Sequence, residues 1–243
     1  MENLIFKYLP PERIDVIDSL SIRITQPVSL NDPFEYYNLF DFSEYLTPNP
    51  QNDKVIAYTN ELITEELHKS INKSINESFG IISFSKKELN NLLWAYYAKN
   101  STGYVLGLNP SNESFVSKIK TLQSDFNEVE YSKARPKFKI EDLRIDHSFL
   151  CRKPIDWFYE EEIRFIDKFD TDLNQIGRDE YDQIIYLKKI QKEAIKEVII
   201  GNRMEHKNID KIINCIKSNS IRCDLYILIL DKDEYKLHKE KIS

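Results

Sequence analysis

The chain has 243 residues, of which 41% are hydrophobic and 30% charged, and its formal net charge is -6. Its 5 glycines are too widely spaced for a GxGxxG dinucleotide turn, a GxxxxGKS/T phosphate loop or a GxSxG nucleophile elbow. The acidic balance argues against a general electrostatic binder of nucleic acid, although it is compatible with a local basic patch.

The cysteines and histidines are too scattered to indicate a metal site. None of the 3 cysteines belongs to a CxxC pair and the 4 histidines stand singly, so we predict free thiols and no metal. The odd cysteine count, the missing apolar leader and the lack of an apolar run of about 18 residues predict a cytoplasmic protein without membrane contact.

Strand and helix periods interleave along the chain. Apolar residues at three- and four-residue spacing predict a long amphipathic helix over 54–76, after a linker-like segment at 47–53. The predicted elements, in chain order, are a strand over 4–8, a helix over 11–19, strands over 21–25 and 80–85 on either side of the long helix, a helix over 89–98, a strand over 103–108, a helix over 113–123, extended segments over 129–132, 162–168, 183–187 and 195–200, a helix over 205–218, and strands over 221–230 and 235–238. This mixture predicts an α+β fold, in a single domain over 1–243 with a helical insertion at about 48–78.

A helix start is predicted at residues 30–35. Asp32 can cap, Pro33 suits the first helical position, and Glu35 follows the cap by three residues. The alternative is functional, with the side chains of Asn31 and Asp32 at the mouth of a pocket.

Hydroxyl and aromatic residues follow one another around the strand over 80–85. Ser83 and Ser85 end that strand, and Trp94 and Tyr97 share one face of the next helix. Such an aromatic stripe forms either part of the core or a ligand-stacking wall with the Tyr97 hydroxyl as its polar group. Gly103 then allows a tight turn or a close approach.

An acidic and aromatic stretch over 157–166 is the most unusual part of the sequence. In an extended chain Glu160, Glu162 and Arg164 share one face, while Ile163 and Phe165 face the core. The residues form either an exposed charge ladder or a held, ionised carboxylate that stabilises a developing cation. The second reading suits cleavage of a glycosidic bond through an oxocarbenium-like state.

Basic residues cluster just before this stretch. Lys133, Arg135, Lys137 and Lys139 alternate along the sequence and form either a track for phosphates or a solvated edge that prevents aggregation. Lys153 either reaches an anionic ligand or pairs with a nearby aspartate.

The motifs, taken in order, resemble the bacterial family called domain of unknown function 2971. The resemblance spans nearly the whole chain and rests on Phe6-Lys7-Tyr8, Asn31-Asp32-Pro33-Phe34-Glu35, Ser83-Phe84-Ser85, Trp94-x-x-Tyr97-Ala98 with Gly103, Glu130-Tyr131-Ser132, Lys153 with Trp157-x-x-Glu160-x-Glu162-x-Arg164, and Ile195 to Gly201. Ser101 departs from that family, which commonly has a histidine before the glycine, so a general base is missing there.

A more distant likeness is to ADP-ribosyltransferase folds. It implies a mixed, largely antiparallel split sheet with flanking helices that holds NAD in a cleft between two small sheets. It further implies that Lys7 or Tyr8 orients NAD, that Ser83 or Ser85 with Tyr97 lines the nicotinamide pocket, and that Glu162 contacts the nicotinamide ribose. Lys7 stands where those enzymes carry His or Arg.

Three functional hypotheses follow. The leading one is an NAD-consuming transferase or hydrolase of ADP-ribosyltransferase type, a toxin or phage-defence effector acting on a macromolecular acceptor. The second is a non-catalytic module that binds a nucleotide or a partner protein through Asn31, Trp94, Tyr97 and Arg164. The third is a magnesium-dependent nuclease that uses Asp32, Glu160, Glu162 and Lys153.

The leading hypothesis makes a geometric demand. Side chains that are far apart in sequence have to meet at one concavity, and these are Lys7, Asn31, Ser83, Tyr97, Glu162 and Arg164.

Overall fold

The computed structural model describes residues 3–49, 51–119, 125–140 and 147–242. Its helices are α1 (Asp15–Ser19), α2 (Lys54–Ser78), α3 (Asn91–Tyr96) and α4 (His206–Ser218). Its strands are β1 (Ile5–Leu9), β2 (Ser21–Ile24), β3 (Leu39–Asp41), β4 (Phe79–Ser85), β5 (Tyr104–Leu108), β6 (Phe126–Glu128), β7 (Glu130–Ser132), β8 (Lys137–Lys139), β9 (Arg152–Pro154), β10 (Glu162–Lys168), β11 (Asn174–Arg178), β12 (Ile184–Lys189), β13 (Ile195–Ile200), β14 (Asp224–Leu230) and β15 (Leu237–Lys241).

The α+β prediction is confirmed by a large, mostly antiparallel sheet with few helices around it. Eight strands lie in the order β15-β14-β13-β5-β1-β4-β10-β6, and only the β13–β14 pair among them is parallel. A second sheet has the order β11-β12-β2, and two short parallel pairs join β3 to β8 and β7 to β9.

The large sheet opens between β1 and β4. These strands share one register pair, Phe6 with Ser85, whereas β1 and β5 pair along five residues. Beyond the opening, β4 bonds instead to the end of β2, because Thr25 and Ile81 exchange backbone hydrogen bonds of 2.9 and 2.8 Å. A gap therefore forms between β1 on one side and β2 with β4 on the other.

The apolar residues form clusters on both faces of the large sheet. Ile82 and Phe165 belong to a cluster that also packs against α1 and α4, while Trp94 and Val105 belong to another beneath α3. A third cluster, which includes Ile81, lies under the C-terminal part of α2. The alternation of strand residues between these clusters is what the period-two pattern predicts.

The long helix α2 agrees with its predicted position. The Asp53 side chain accepts hydrogen bonds from the backbone N–H groups of Val55 and Ile56, which fixes the first turn. Ile75 is buried near the C-terminal end of the helix, whereas Val55 is exposed. That residues 48–78 form an insertion stays a prediction, and Pro50 lies outside the described residues.

The predicted helix over 113–123 is wrong within the part that the structure describes. Only Glu113–Phe115 is helical, as a single 3-10 turn, and Val116 has an extended backbone. The N–H groups of Ser117 and Lys118 bond to the carboxylates of Asp125 and Asp167 at 2.7 and 2.9 Å. In a helix these two N–H groups would donate to backbone carbonyls, so the bonds to the carboxylates replace helical hydrogen bonds. Residues 120–123 lie outside the described residues.

None of the helices in the described part of the chain combines the length with the apolar character needed to span a membrane. Cys151, Cys215 and Cys223 are all free thiols.

Candidate functional site

A cavity of about 230 Å³ occupies the gap between β1 and β4. Its lining includes Lys7 and Tyr8 of β1, together with Ser83 and Ser85 of β4. The other lining residues that sequence analysis singled out are Asn31, Tyr97, Lys153, Glu160 and Glu162. Residues from six separate segments of the chain thus meet in one small space.

Arg164, Asp32 and Trp94 are not among the residues that line the cavity. Arg164 lies directly behind Glu162, with which it shares a face of β10. Asp32 is buried and caps the 3-10 turn Pro33–Glu35 by accepting from the N–H of Phe34 at 2.9 Å. The capping prediction for Asp32 is confirmed, and its placement at a pocket mouth is wrong.

Trp94 belongs to the core. Its side chain is 1% exposed, its Nε1 donates to the Glu88 carbonyl at 2.9 Å, and its ring meets Tyr8 edge to face. Because the protein covers the ring almost completely, neither of its faces is open to a ligand, and Trp94 does not form the ligand-stacking wall. Of Trp94 and Tyr97, it is Tyr97, the C-cap of α3, that lines the cavity.

The acidic stretch differs from the expected extended chain. Residues Ile155–Glu160 form a 3-10 helix, Glu161 has a left-handed backbone with φ 41°, and the strand begins only at Glu162. The turn nevertheless carries the Glu160 side chain to the same cation that binds Glu162. The exposed-ladder interpretation is wrong, because Glu160, Glu162 and Arg164 are 4%, 3% and 1% exposed.

Arg164 holds two carboxylates from distant parts of the chain. Its Nε donates to Glu162 Oε1 at 2.7 Å, and its Nη2 donates to both Glu162 and Glu35. Its Nη1 donates to the Leu150 carbonyl at 2.5 Å. The planar guanidinium therefore uses its donors in several directions at once, which fixes Glu162 in position.

Lys153 bridges the carboxylates from the other side. Its Nζ lies 2.6 Å from Glu160 Oε2, 3.0 Å from Glu162 Oε2 and 3.5 Å from Glu35 Oε1. It also lies 4.8 Å from the ring centroid of Trp157, in a cation-π contact. The alternative in which Lys153 pairs with a nearby aspartate is wrong, since its partners are three glutamates.

The pKa values of the three buried glutamates are shifted in different directions. Burial acts to raise the pKa of Glu162, but Arg164 and Lys153 outweigh it and hold that pKa well below its ordinary value. Burial raises the pKa of Glu35 and of Glu160 above the ordinary value despite the same cations. Glu162 therefore binds a proton least tightly of the three, while Glu160 is suited to take up or release a proton.

Tyr97 and Lys7 complete the polar side of the cavity. The Tyr97 hydroxyl donates to Glu160 Oε1, and burial followed by the charge of Glu160 raises the pKa of Tyr97. Lys7 Nζ donates to the Ser83 carbonyl at 2.8 Å across the gap. Burial lowers the pKa of Lys7 to about 8, although Glu162 acts against that shift.

An outer groove of about 960 Å³ continues from the cavity and shares Lys7, Tyr8, Thr25, Asn31 and Tyr97 with it. The groove adds three cationic residues and three aromatic residues to the lining. These are Arg13, Arg23, Lys99, Tyr96, Trp157 and Tyr159.

Sequence reasoning missed two contributors to the buried cluster. The local sequence indicates only a helix start at Glu35, yet Glu35 binds Arg164 and lines the cavity. Tyr131 accepts a hydrogen bond from the N–H of Glu162 at 2.8 Å, which helps to fix the beginning of β10. Both residues lie within motifs that carried the family resemblance, but no local pattern indicates their partners.

The nuclease hypothesis finds little support in the geometry. Asp32 is occupied as a cap, and Lys153 lies between the glutamates where a cation would have to sit. Among the described residues, no three His, Cys, Asp or Glu side chains are arranged to hold a metal ion.

The fold and site define an α+β protein with a buried, charge-rich cavity in the opening of its main sheet. A family model described as "Protein of unknown function (DUF2971)" matches residues 93–165, and over this segment the chain is similar to that family. The match includes Tyr97, Lys153, Glu160, Glu162 and Arg164, whereas the likeness before residue 93 and after residue 165 stays a prediction. Neither the curated proteins nor the solved structures gave a match.

Proposed function

We propose that this protein cleaves the glycosidic bond between nicotinamide and ribose in NAD, as a transferase or hydrolase of ADP-ribosyltransferase type. The observation that carries the proposal is the placement of Glu162. An ionised carboxylate, fixed by Arg164 and Lys153, lines a small cavity at the opening of the sheet. A fixed negative charge favours the positive charge that develops on the ribose.

The reaction follows from the roles of the two carboxylates. The bond between ribose C1′ and the nicotinamide nitrogen breaks, and its electron pair leaves with nicotinamide, which becomes neutral. Glu162 stabilises the resulting oxocarbenium ion. Water or an acceptor hydroxyl then bonds to C1′, and its proton passes to the Glu160 carboxylate, whose raised pKa suits a general base.

The outer groove supports the size and charge of such a substrate. Arg13, Arg23 and Lys99 line it near where a diphosphate would extend from the inner cavity. Each is ion-paired in the structure, with Asp15, Asp179 and Glu12 respectively, so a diphosphate would compete with or join these pairs. Tyr96 is 66% exposed and offers an aromatic face for the adenine ring. The volume of the groove lies on the scale of small-molecule sites, and the cavity extends it inward.

The direct test is incubation of the purified full chain with NAD, followed by mass spectrometry of the products. We expect free nicotinamide together with ADP-ribose or an ADP-ribosylated acceptor. Binding of NAD in a thermal-shift assay, with no nicotinamide released in the presence of a cell extract as acceptor source, would instead support the non-catalytic module.

A pH dependence is expected from Lys7, which borders both the cavity and the groove. Its ammonium is charged below its pKa of about 8 and neutral above it, so its attraction for the NAD diphosphate is lost as the pH rises. We expect the Kd of NAD to rise about tenfold between pH 7 and pH 9.5, because a hydrogen bond to a charged group contributes about 1.5–3 kcal/mol. Isothermal titration calorimetry across this range measures the change.

Two variants separate Lys7 from other titrating groups. Lys7→Arg should bind NAD with a nearly constant Kd over the same range, because the guanidinium stays protonated. Lys7→Met should bind weakly at every pH. An unchanged pH profile in both variants would assign the dependence to another residue.

A further inference from the structure

A second polar surface adjoins Lys153, which also lines the cavity. It consists of the run 132–139 between β7 and β8, together with Phe34, Tyr37 and Arg152, and is called the basic surface below. Lys133, Arg135, Lys137 and Lys139 are all exposed. These four residues form the alternating basic run of the sequence, and none of them lines the cavity or the outer groove.

The fold holds these cations outward. In β8 the Phe138 side chain is buried, so Lys137 and Lys139 on either side of it face solvent. The parallel pairing of β8 with β3, in which Phe138 lies opposite Phe40, fixes this alternation. Lys137 and Lys139 are therefore presented on a supported strand, while Lys133 and Arg135 lie in the irregular segment that precedes it.

Aromatic rings lie beside the cations in a groove of about 340 Å³. Phe34 and Tyr37 border it and are 53% and 57% exposed. The Arg135 guanidinium lies 5.1 Å from the ring centroid of Phe34 and donates a hydrogen bond to the Tyr37 carbonyl. Exposed rings held next to a guanidinium offer stacking faces and positive charge together.

Acidic residues offset only part of this charge. Glu130 pairs with Arg152, Asp156 lines the groove, and Asp41 lies opposite Lys139 in the β3–β8 pair. No carboxylate of the described chain lies within ion-pair distance of Lys133 or Arg135. The surface is thus locally basic in a chain whose formal net charge is -6.

We propose that the basic surface binds single-stranded nucleic acid. Successive cations track a phosphate backbone, and exposed aromatic rings stack on unpaired bases; this combination is typical of single-strand binding. An acidic peptide would use the cations but not the aromatic faces. A bilayer surface would favour a broad amphipathic face rather than a narrow groove.

The position of the surface also suggests what the bound strand does. Lys153 lines both the groove and the cavity. The adjacent residues Phe34 and Glu35 belong to one turn, and Phe34 lines the groove while Glu35 lines the cavity. If the proposed NAD chemistry takes place in the cavity, a strand on the basic surface is its nearest macromolecular acceptor. That second step rests on the proposed function, whereas the binding itself does not.

Fluorescence anisotropy of a labelled single-stranded 12-mer RNA or DNA, without NAD, tests the binding. We expect binding at 50 mM salt that weakens steeply as salt is raised, because phosphate contacts release counterions. The double variant Lys133→Gln/Arg135→Gln should raise the Kd about tenfold or more and flatten the salt dependence. Phe34→Ala should also raise the Kd about tenfold, because stacking on one base contributes about 1–3 kcal/mol.

The controls separate this proposal from charge effects elsewhere and from the cavity. Lys73→Gln, on the exposed side of α2 and 3.9 Å from Glu77, should leave the Kd unchanged. Glu162→Gln should still bind the oligonucleotide, so a failure of NAD chemistry would not affect this result. No binding at low salt, equal binding by all variants, or retention by anionic vesicles or an acidic peptide in place of the oligonucleotide would overturn the proposal.

Discussion

Glu162→Gln is expected to reduce nicotinamide release from NAD at least about 100-fold. The amide keeps the shape of the side chain and can still accept from Arg164, but it removes the negative charge that stabilises the oxocarbenium ion. Because the side chain keeps its size, the cavity keeps its volume and NAD should still bind. Single-turnover kinetics together with calorimetric measurement of the Kd separate the chemical step from binding.

Glu162→Gln is also expected to lower the free energy of unfolding. Glu162 is buried between Arg164 and Lys153, so the loss of its charge weakens a paired network. Asp167→Asn is the matched control, because Asp167 is a buried carboxylate on the same strand, pairs with Lys188 and does not line the cavity. That variant should lose stability but retain turnover. Equal turnover in Glu162→Gln and the wild type would remove Glu162 from the mechanism.

Arg164→Met is expected to cause the largest loss of stability, about 3–5 kcal/mol in the free energy of unfolding. Methionine fills much of the same space, but it leaves Glu35 and Glu162 buried with Lys153 as their remaining cation. The loss comes mainly from these uncompensated charges rather than from the missing contacts. Urea unfolding followed by circular dichroism measures it.

Two comparisons identify the cause of that loss. Arg13→Met removes an exposed ion pair with Asp15 and should change stability by less than about 1 kcal/mol. Adding Glu35→Gln to Arg164→Met removes one of the two buried carboxylates that lost Arg164 as a partner, and it should recover part of the stability. If the double variant were less stable than the single variant, the stranded charge of Glu35 would not be the cause.

Several elements followed directly from local sequence. The strands over 162–168 and 195–200 and the helix that begins at Lys54 have the predicted positions, because their apolar periods agree with their burial. The adjacency of Glu162 and Arg164 also follows, since residues two apart share a face of a strand. The helix expected after residue 113 does not form, because carboxylates from distant parts of the chain accept hydrogen bonds from its backbone N–H groups.

Local sequence was enough to predict the fold class, the Asp32 cap and the pairing of Glu162 with Arg164, because each follows from residues a few positions apart. Three features depend instead on contacts between distant segments: Glu35 meets Arg164 across 129 positions, Lys153 joins three carboxylates, and Trp94 is covered while Tyr97 reaches the cavity. Periodicity reports which face of an element is apolar, but it carries no information on which other element covers that face. The opening between β1 and β4, which creates the cavity, is likewise a property of strand pairing over long distances.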